Sequence, residues 1–265
     1  MADSNTLFRE GFVDADGFRI RYWEAGSGPP LVHLHGAGGP RLTAAHDFLS
    51  RSFRVVAFEM PGFGEQENQR SSSIQDLART MASAAETMSL GRFNLMGTSF
   101  GGKVGCWLAV LRPELVISLV LEAPAAIRPD GSQPVSGTPG DIARRLYAHP
   151  ELMPPMPPAD PVLAARRLAL VTRLRGPGRD PALEDCLRAL DIPALVLFGT
   201  RDAVVPPDMG RIYEELMPDA HLVFVYDAGH AIAAERPEAF AEVVGDFLER
   251  NDAFVISRNR TVLMP

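Results

Sequence analysis

Only two cysteines occur, Cys106 and Cys186, far apart and with no C-x-x-C, which argues against a disulfide-stapled scaffold or a zinc knuckle. Both read as small buried hydrophobes. No apolar run approaches the length that crosses a bilayer, and the opening MADSNTLFRE has neither a basic n-region nor an apolar h-region. The expectation is a cytoplasmic chain with no membrane partner. Positive charge is scarce: 26 Lys+Arg face 33 Asp+Glu, a formal net charge of −7. The basic footprint that nucleic-acid phosphates require is missing. Lysine is almost absent, with Lys103 the single one.

What is present fits a partner that is a small molecule. With 265 residues, 46% of them hydrophobic, the chain can bury one sizeable core. Short apolar or β-branched runs recur: FRIRYWEA, LVHLH, FRVVAFE, FNLMG, VISLVLEA, PALVLFG and HLVFVY. Stretches with helical spacing lie between several of them, around 74–88, 101–112, 208–216 and 237–250. Strands alternating with helices predict an α/β fold with a mostly parallel sheet covered on both faces. The first two runs have no helix between them and predict an antiparallel hairpin at one edge. From Ala125 to Leu190 the alternation fails and proline is dense (MPPMPPADP), with helix-like pieces near 140–148 and 161–174. This reads as a helical cap of residues 125–189 set into a core of 1–124 and 190–265, because long irregular segments are usually functional.

The stretch GTSFGGKV, just after the run FNLM, fits two machines. As G-x-x-x-x-G-K it is nearly a phosphate-cradling P-loop, with Glu59 and Glu122 as acidic strand ends. The residue after that lysine must be Ser or Thr to hold Mg²⁺, and here it is Val104. As G-x-S-x-G it is a nucleophile elbow: Gly97 and Gly101 leave room for a sharp strand-to-helix turn, Ser99 stands at its tip, and the helix aims its positive end at the reacting centre.

A serine hydroxyl needs a base to take its proton, and the base needs an acid to fix its tautomer. Asp202 follows one late strand in VLFGTRDAVVP, and His230 follows the next in VYDAGHAIAAERPEAF. The order Ser99, Asp202, His230 is that of one hydrolase class. Attack on a carbonyl also creates an oxyanion, which the glycine-rich loop HLHGAGG can meet with the Ala37 amide, joined by the Phe100 amide after the nucleophile. His35, Gly36 and Gly38 of that loop are candidates for the pocket wall. His33 and His35 form an H-x-H, but no third ligand follows at useful spacing, so no metal is expected. The dinucleotide fingerprint fails too, with Arg41 where its last glycine belongs.

These pieces, HGAGG, MPGFG, GTSFGG, GTRDAVVP and AGHAIAAERPEAF, make the chain resemble the α/β-hydrolase superfamily over nearly its whole length apart from the cap and tail. The resemblance implies an eight-stranded sheet, a cap inserted after the sixth strand, and hydrolysis through an acyl-enzyme without a cofactor. Two positions depart from the family pattern. Glu59 replaces the usual aspartate of the D-x-P-G-x-G turn, which is expected to perturb that turn, and Glu65 replaces a frequent serine, adding charge near the pocket rim.

The resulting expectation is a serine hydrolase cleaving an ester or related acyl bond of a small, partly apolar molecule. A C–C bond hydrolase of a vinylogous diketone uses the same triad, and a low-turnover ligand sensor on the same fold is a different class; both stay open. Serine at position 99 argues against relatives that attack with a carboxylate. Glu122 competes with Asp202 as the acid, since some relatives supply it from that strand end. In the cap, Arg166, Arg167, Arg173 and Arg175 cluster on or near one predicted helix, either as its wet face or with one of them holding a substrate carboxylate. Arg166 and Arg167 are the pocket candidates there. His46, His149 and His221 read as structural histidines, and Cys106 as packing. The stretch 251–265 is a tail that docks on its own domain or on a second subunit, so a homo-oligomer through the cap or the tail is kept open.

Overall fold

The sequence DADG sets the first turn. Asp16 and Gly17 both sit at positive φ, 50° and 77°, as a two-residue hairpin turn requires, and they join strand β1 (Arg9–Ala15) to the antiparallel strand β2 (Phe18–Ala25). The computed structural model describes residues 7–156 and 160–251. In it β3 (Pro30–Leu34), β4 (Arg54–Phe58), β5 (Phe93–Thr98), β6 (Val116–Glu122), β7 (Ala194–Gly199) and β8 (Ala220–Val225) run parallel to one another, and one eight-stranded sheet forms in the order β1-β2-β4-β3-β5-β6-β7-β8.

The edge hairpin expected from FRIRYWEA and LVHLH is corrected here. β2 pairs with β1 on one side and lies antiparallel on β4 on the other, while β3 enters beyond β4. The reason lies in the residues: β3 is apolar at nearly every position and must be covered on both faces, whereas β2 alternates and tolerates a place near the edge. The Glu24–Arg54 pair, at 2.8 Å, fixes β2 against β4. β1 escaped the sequence reading because REGFVDA is largely polar.

Successive residues of the central strands serve opposite faces. Leu31 and Val55 point to a core completed by α1 (Ala44–Leu49) and by Phe240, Val244 and Phe247 of α9 (Pro237–Arg250). Val32 and Val56 point to the core under α2 (Ile74–Thr87) and α3 (Phe100–Leu111). A reciprocal cap starts α2: Ser73 Oγ accepts from the Asp76 amide, and Asp76 Oδ2 accepts from the Ser73 amide. Between β6 and β7 the described residues carry α4 (Pro139–Leu146), α5 (Pro161–Leu174) and α6 (Pro181–Arg188) and no strand. Among the described residues the later part also carries α7 (Met209–Leu216) and α8 (Ile232–Glu235). Short α1 and α6 went unforeseen, each too brief to establish a 3.6-residue period. The tail reading falls on residues outside those described, Asn251 excepted. Cys106 is buried as expected, and burial pushes its thiol up to about 12; Cys186 is only half-buried.

Candidate active site

The turn from β5 into α3 is possible only with glycines. A Cβ on Gly97 would stand 2.6 Å from the Gly101 carbonyl oxygen, and one on Gly101 would collide with the carbonyl of Leu34. With that clearance the chain reverses at Ser99, whose φ is +52°, a conformation that costs a non-glycine residue of order 1–3 kcal/mol. Its backbone is held on both sides: the Ser99 amide donates to Glu122 O at 2.9 Å and its carbonyl accepts from Ala125 N at 2.9 Å. Beside it runs the loop 35–39, so close that a Cβ on Gly36 would lie 3.4 Å from Ser99 Cβ. Neither the Ala37 amide nor the Phe100 amide donates a hydrogen bond among the described residues. Phe100 is the first residue of α3, so its amide is one of the helix's orphan donors.

His35 braces this loop. Its Nδ1–H donates to Gly36 O at 2.7 Å and its Nε2 accepts from the Met60 amide at 3.0 Å, so both ring nitrogens are taken by backbone. Burial lowers the ring to about 3, and it is neutral. Glu59, expected to perturb its turn, instead reaches Arg21 on β2 through two bonds of 2.9 and 3.2 Å, and the turn closes normally with Phe63 N on Met60 O. The longer side chain finds a partner one strand away.

Asp202 and His230 meet. His230 Nδ1 stands 2.8 Å from Asp202 Oδ2, with both side chains almost fully buried. The other oxygen of Asp202 accepts from the Val204 and Val205 amides at 2.7 and 2.9 Å. Asp202 therefore has one oxygen fixed by backbone and one presented to the ring. This commits Nδ1 and leaves Nε2 as the other ring nitrogen; no hydrogen bond joins His230 to Ser99. Glu122 makes no bond to His230; its oxygens accept from Thr98 Oγ1 at 2.6 Å and from the Ala233 amide at 2.8 Å.

The residues around His230 were missed by the sequence reading. Gly229 N donates to Glu235 Oε2 at 2.6 Å, and Ala148 N and His149 N donate to Glu235 Oε1. Ala231 N donates to Leu146 O at 3.1 Å. The segment after α4 is thus sewn to the His230 loop. A second missed group is His33 with His46, 2.9 Å apart and linked onward to Thr98. The available signal was the polar residue at a strand end in an apolar run, which must find a partner when buried. Among the described residues no cluster of His, Cys, Asp or Glu suits a metal ion.

Lys103, the lysine of the P-loop reading, is buried and donates to Arg175 O at 2.7 Å, tying α3 to the end of α5. The cap arginines take an unforeseen role. Arg166 Nη2 donates to Gly64 O and Glu65 O, both at 3.0 Å, and Arg173 donates to Asn68 O. Arg167 bonds Phe63 O at 2.7 Å through Nε and Gly38 O at 2.6 Å through Nη1. Its Nη2 has no partner among the described residues, and no carboxylate stands within ion-pair distance of it. The guanidinium lies against Gly39, at the open side of the 35–39 loop.

The sequence profile of the Alpha/beta hydrolase family matches residues 31–243. The 2-hydroxy-6-oxo-6-(2'-aminophenyl)hexa-2,4-dienoic acid hydrolase of Metapseudomonas resinovorans is 28% identical, over 93% of this chain and 93% of its own. The pimeloyl-(acyl-carrier protein) methyl ester esterase of Neisseria meningitidis is 27% identical, over 83% of this chain and 92% of its own. A solved structure of a serine hydrolase involved in carbazole degradation is similar with a TM-score of 0.71 at 25% identity, covering 91% of this chain and 99% of that one. No helix among the described residues is long and apolar enough to cross a membrane.

Proposed function

The chain belongs to the alpha/beta hydrolase family, and on that premise we propose that it is a serine hydrolase that cleaves an acyl bond of a small molecule carrying a carboxylate. The observation that carries this reading is the buried pair of His230 and Asp202, with Nδ1 and Oδ2 at 2.8 Å. An imidazole whose Nδ1–H is committed to a carboxylate must present Nε2 as a base.

The steps follow from that tautomer. Ser99 Oγ attacks the substrate carbonyl carbon while His230 Nε2 takes its proton, and Asp202 stabilises the imidazolium. The carbonyl π electrons move to oxygen, where the free amides of Ala37 and Phe100 meet the charge. Collapse expels the leaving group, which receives the proton from His230 and leaves an acyl-Ser99. Water, deprotonated by His230, then adds to the acyl carbon; collapse breaks the bond to Ser99 Oγ, which takes the proton back from His230 as the acid leaves. The hydroxyl and imidazole, not hydrogen-bonded without substrate, align in the complex. No cofactor takes part in this scheme.

The helical insertion, residues 125–189, acts as the cap that selects the substrate. Arg167 supports the anionic preference: a half-buried guanidinium with an unused Nη2 beside the Gly36–Gly38 wall can bind a carboxylate. The acid in the name of the Metapseudomonas relative's substrate points the same way and favours a second reading, cleavage of the C–C bond of a conjugated keto acid by the same residues. The test is labelling with a fluorophosphonate and mapping of the adduct, followed by turnover of matched activated esters and a vinylogous keto acid. A Ser99 adduct with ester turnover is expected. A Ser99 adduct with no turnover of any acyl compound would favour a ligand sensor, and an adduct elsewhere would sink the assignment.

A further inference from the structure

Behind the elbow lies a buried row of polar groups whose protons can be assigned from one fixed point. The Thr43 backbone N–H, which can only donate, stands 3.1 Å from His46 Nδ1. That nitrogen is therefore the acceptor, and burial, which lowers His46 to about 4, keeps its ring neutral with the proton on Nε2. His46 Nε2–H then donates to His33 Nδ1 at 2.9 Å. His33, also held well below its ordinary range by burial, carries its proton on Nε2 and donates to Thr98 Oγ1 at 3.0 Å. The Thr98 hydroxyl has one direction left, and it donates to Glu122 Oε2 at 2.6 Å. Every bond in the row points toward Glu122.

Glu122 receives a second donor, Ala233 N at 2.8 Å on Oε1. It is almost fully buried and has no ion-pair partner among the described residues. Burial holds its carboxyl above the ordinary carboxylate range, and the two donors, one on each oxygen, limit that rise by favouring the ionised form. Thr98 immediately precedes Ser99, and Ala233 lies three residues past His230. One carboxylate thus joins the serine turn to the histidine loop.

We infer that Glu122 is a positioning residue for Ser99 and His230, its ionised form favoured by the one-way chain from Thr43 through His46, His33 and Thr98, and that its charge stabilises the His230 imidazolium together with Asp202. This rests on the serine-hydrolase reading. The charged and titratable groups around the pair are few. Asp202 faces His230 from the loop after β7, and His33 and His46 stand behind Thr98 and are neutral. Glu235 of α8 is occupied by the amides of Ala148, His149 and Gly229. Among the described residues no lysine or arginine pairs with Glu122, which leaves the imidazole as the group to return positive charge to it. A negative charge near the ring raises its affinity for a proton, so removing that charge lets the base stay unprotonated at lower pH.

The test is the pH dependence of ester hydrolysis in Glu122→Gln, Thr98→Val and Thr98→Ser, with fluorophosphonate labelling of each protein. For Glu122→Gln the acid limb of kcat/KM is expected to move down by about half a unit or more. Its kcat should fall about tenfold while KM stays within about twofold, as for a group that acts only in the transition state. Thr98→Val, which removes the last donor, should move the limb the same way, and Thr98→Ser should restore it. A merely structural role would lower rate or stability without moving the limb. If the limbs of Glu122→Gln and Thr98→Val coincide with wild type while Ser99 is still labelled, the inference is overturned and the hydrolase reading stands. If wild type is not labelled at Ser99, the hydrolase reading fails and the inference falls with it. Should Glu122→Gln not fold, the comparison of Thr98→Val with Thr98→Ser decides alone.

Discussion

His149 Nε2 lies 2.7 Å from Asp227 Oδ2, joining the segment that follows α4 to the turn that precedes His230. Hydrogen bonding to Asp227 raises the His149 pKa above its ordinary value. A group raised in the folded state contributes fully below its unfolded value, about 6.5, and loses that contribution as pH climbs through the raised one. Amides of 146–149 and 227–231 should therefore be best protected from hydrogen exchange near pH 6 and less so at pH 8, after correction for intrinsic rates. In His149→Gln the difference should vanish; a variant that kept it would place the pH response elsewhere.

Ser99 occupies a left-handed backbone position that glycine adopts without cost. Ser99→Gly should be more stable than Ser99→Ala by about 1 kcal/mol, as measured by urea denaturation. Both should lose hydrolytic rate by about 10³ or more, retaining only what the oxyanion amides and binding provide. Substantial turnover in either would remove Ser99 as nucleophile.

Lys103 is held at about 8 by burial, against 10.5 for a free lysine. The folded pKa is depressed, so the buried ammonium destabilises the protein below about pH 8, and the penalty is relieved as pH rises from there toward 10.5. Relative to Lys103→Met, wild type should gain on the order of 3 kcal/mol across that window. Unfolding free energies of the two proteins at pH 7, 8, 9 and 10 check this; parallel curves would contradict it. The lost bond to Arg175 O offsets part of the variant's gain at pH 7.

Arg167→Gln should leave kcat/KM for a neutral ester within about threefold and lower it about tenfold or more for the matched carboxylate-bearing ester. An unchanged ratio would reduce Arg167 to a tie between α5 and the loops at Gly38 and Phe63.

The sequence was most informative where local chemistry is stringent. Gly97, Ser99 and Gly101 suit a sharp strand-to-helix turn once Val104 weakens the P-loop reading, and short apolar runs such as PALVLFG alternating with helical stretches suit central strands, so the sheet and elbow were legible. Less was visible where side chains travel. Nothing near Arg167 in sequence indicates a carbonyl at Gly38, 129 residues away. Glu59 looked like a turn defect because its partner, Arg21, sits 38 residues earlier on β2. The same holds for His46, whose place in a proton-ordered row depends on β3, β5 and β6 lying side by side. The misplaced hairpin had another cause: the DADG turn was overlooked because β1 is too polar to announce itself as a strand.

The α5 arginines are held mainly by peptide carbonyls at Gly64, Glu65, Phe63, Gly38 and Asn68, and Arg166 also stands 3.7 Å from Glu67 Oε1. Acid cannot protonate the carbonyl acceptors, and the guanidinium keeps its charge throughout the working range. These carbonyl bonds of α5 are therefore insensitive to pH, whereas at the other end the His149–Asp227 bond weakens in alkali and leaves the Leu146 and Glu235 bonds to hold the segment. The side of the insertion next to His230 is thus the one whose hold depends in part on pH.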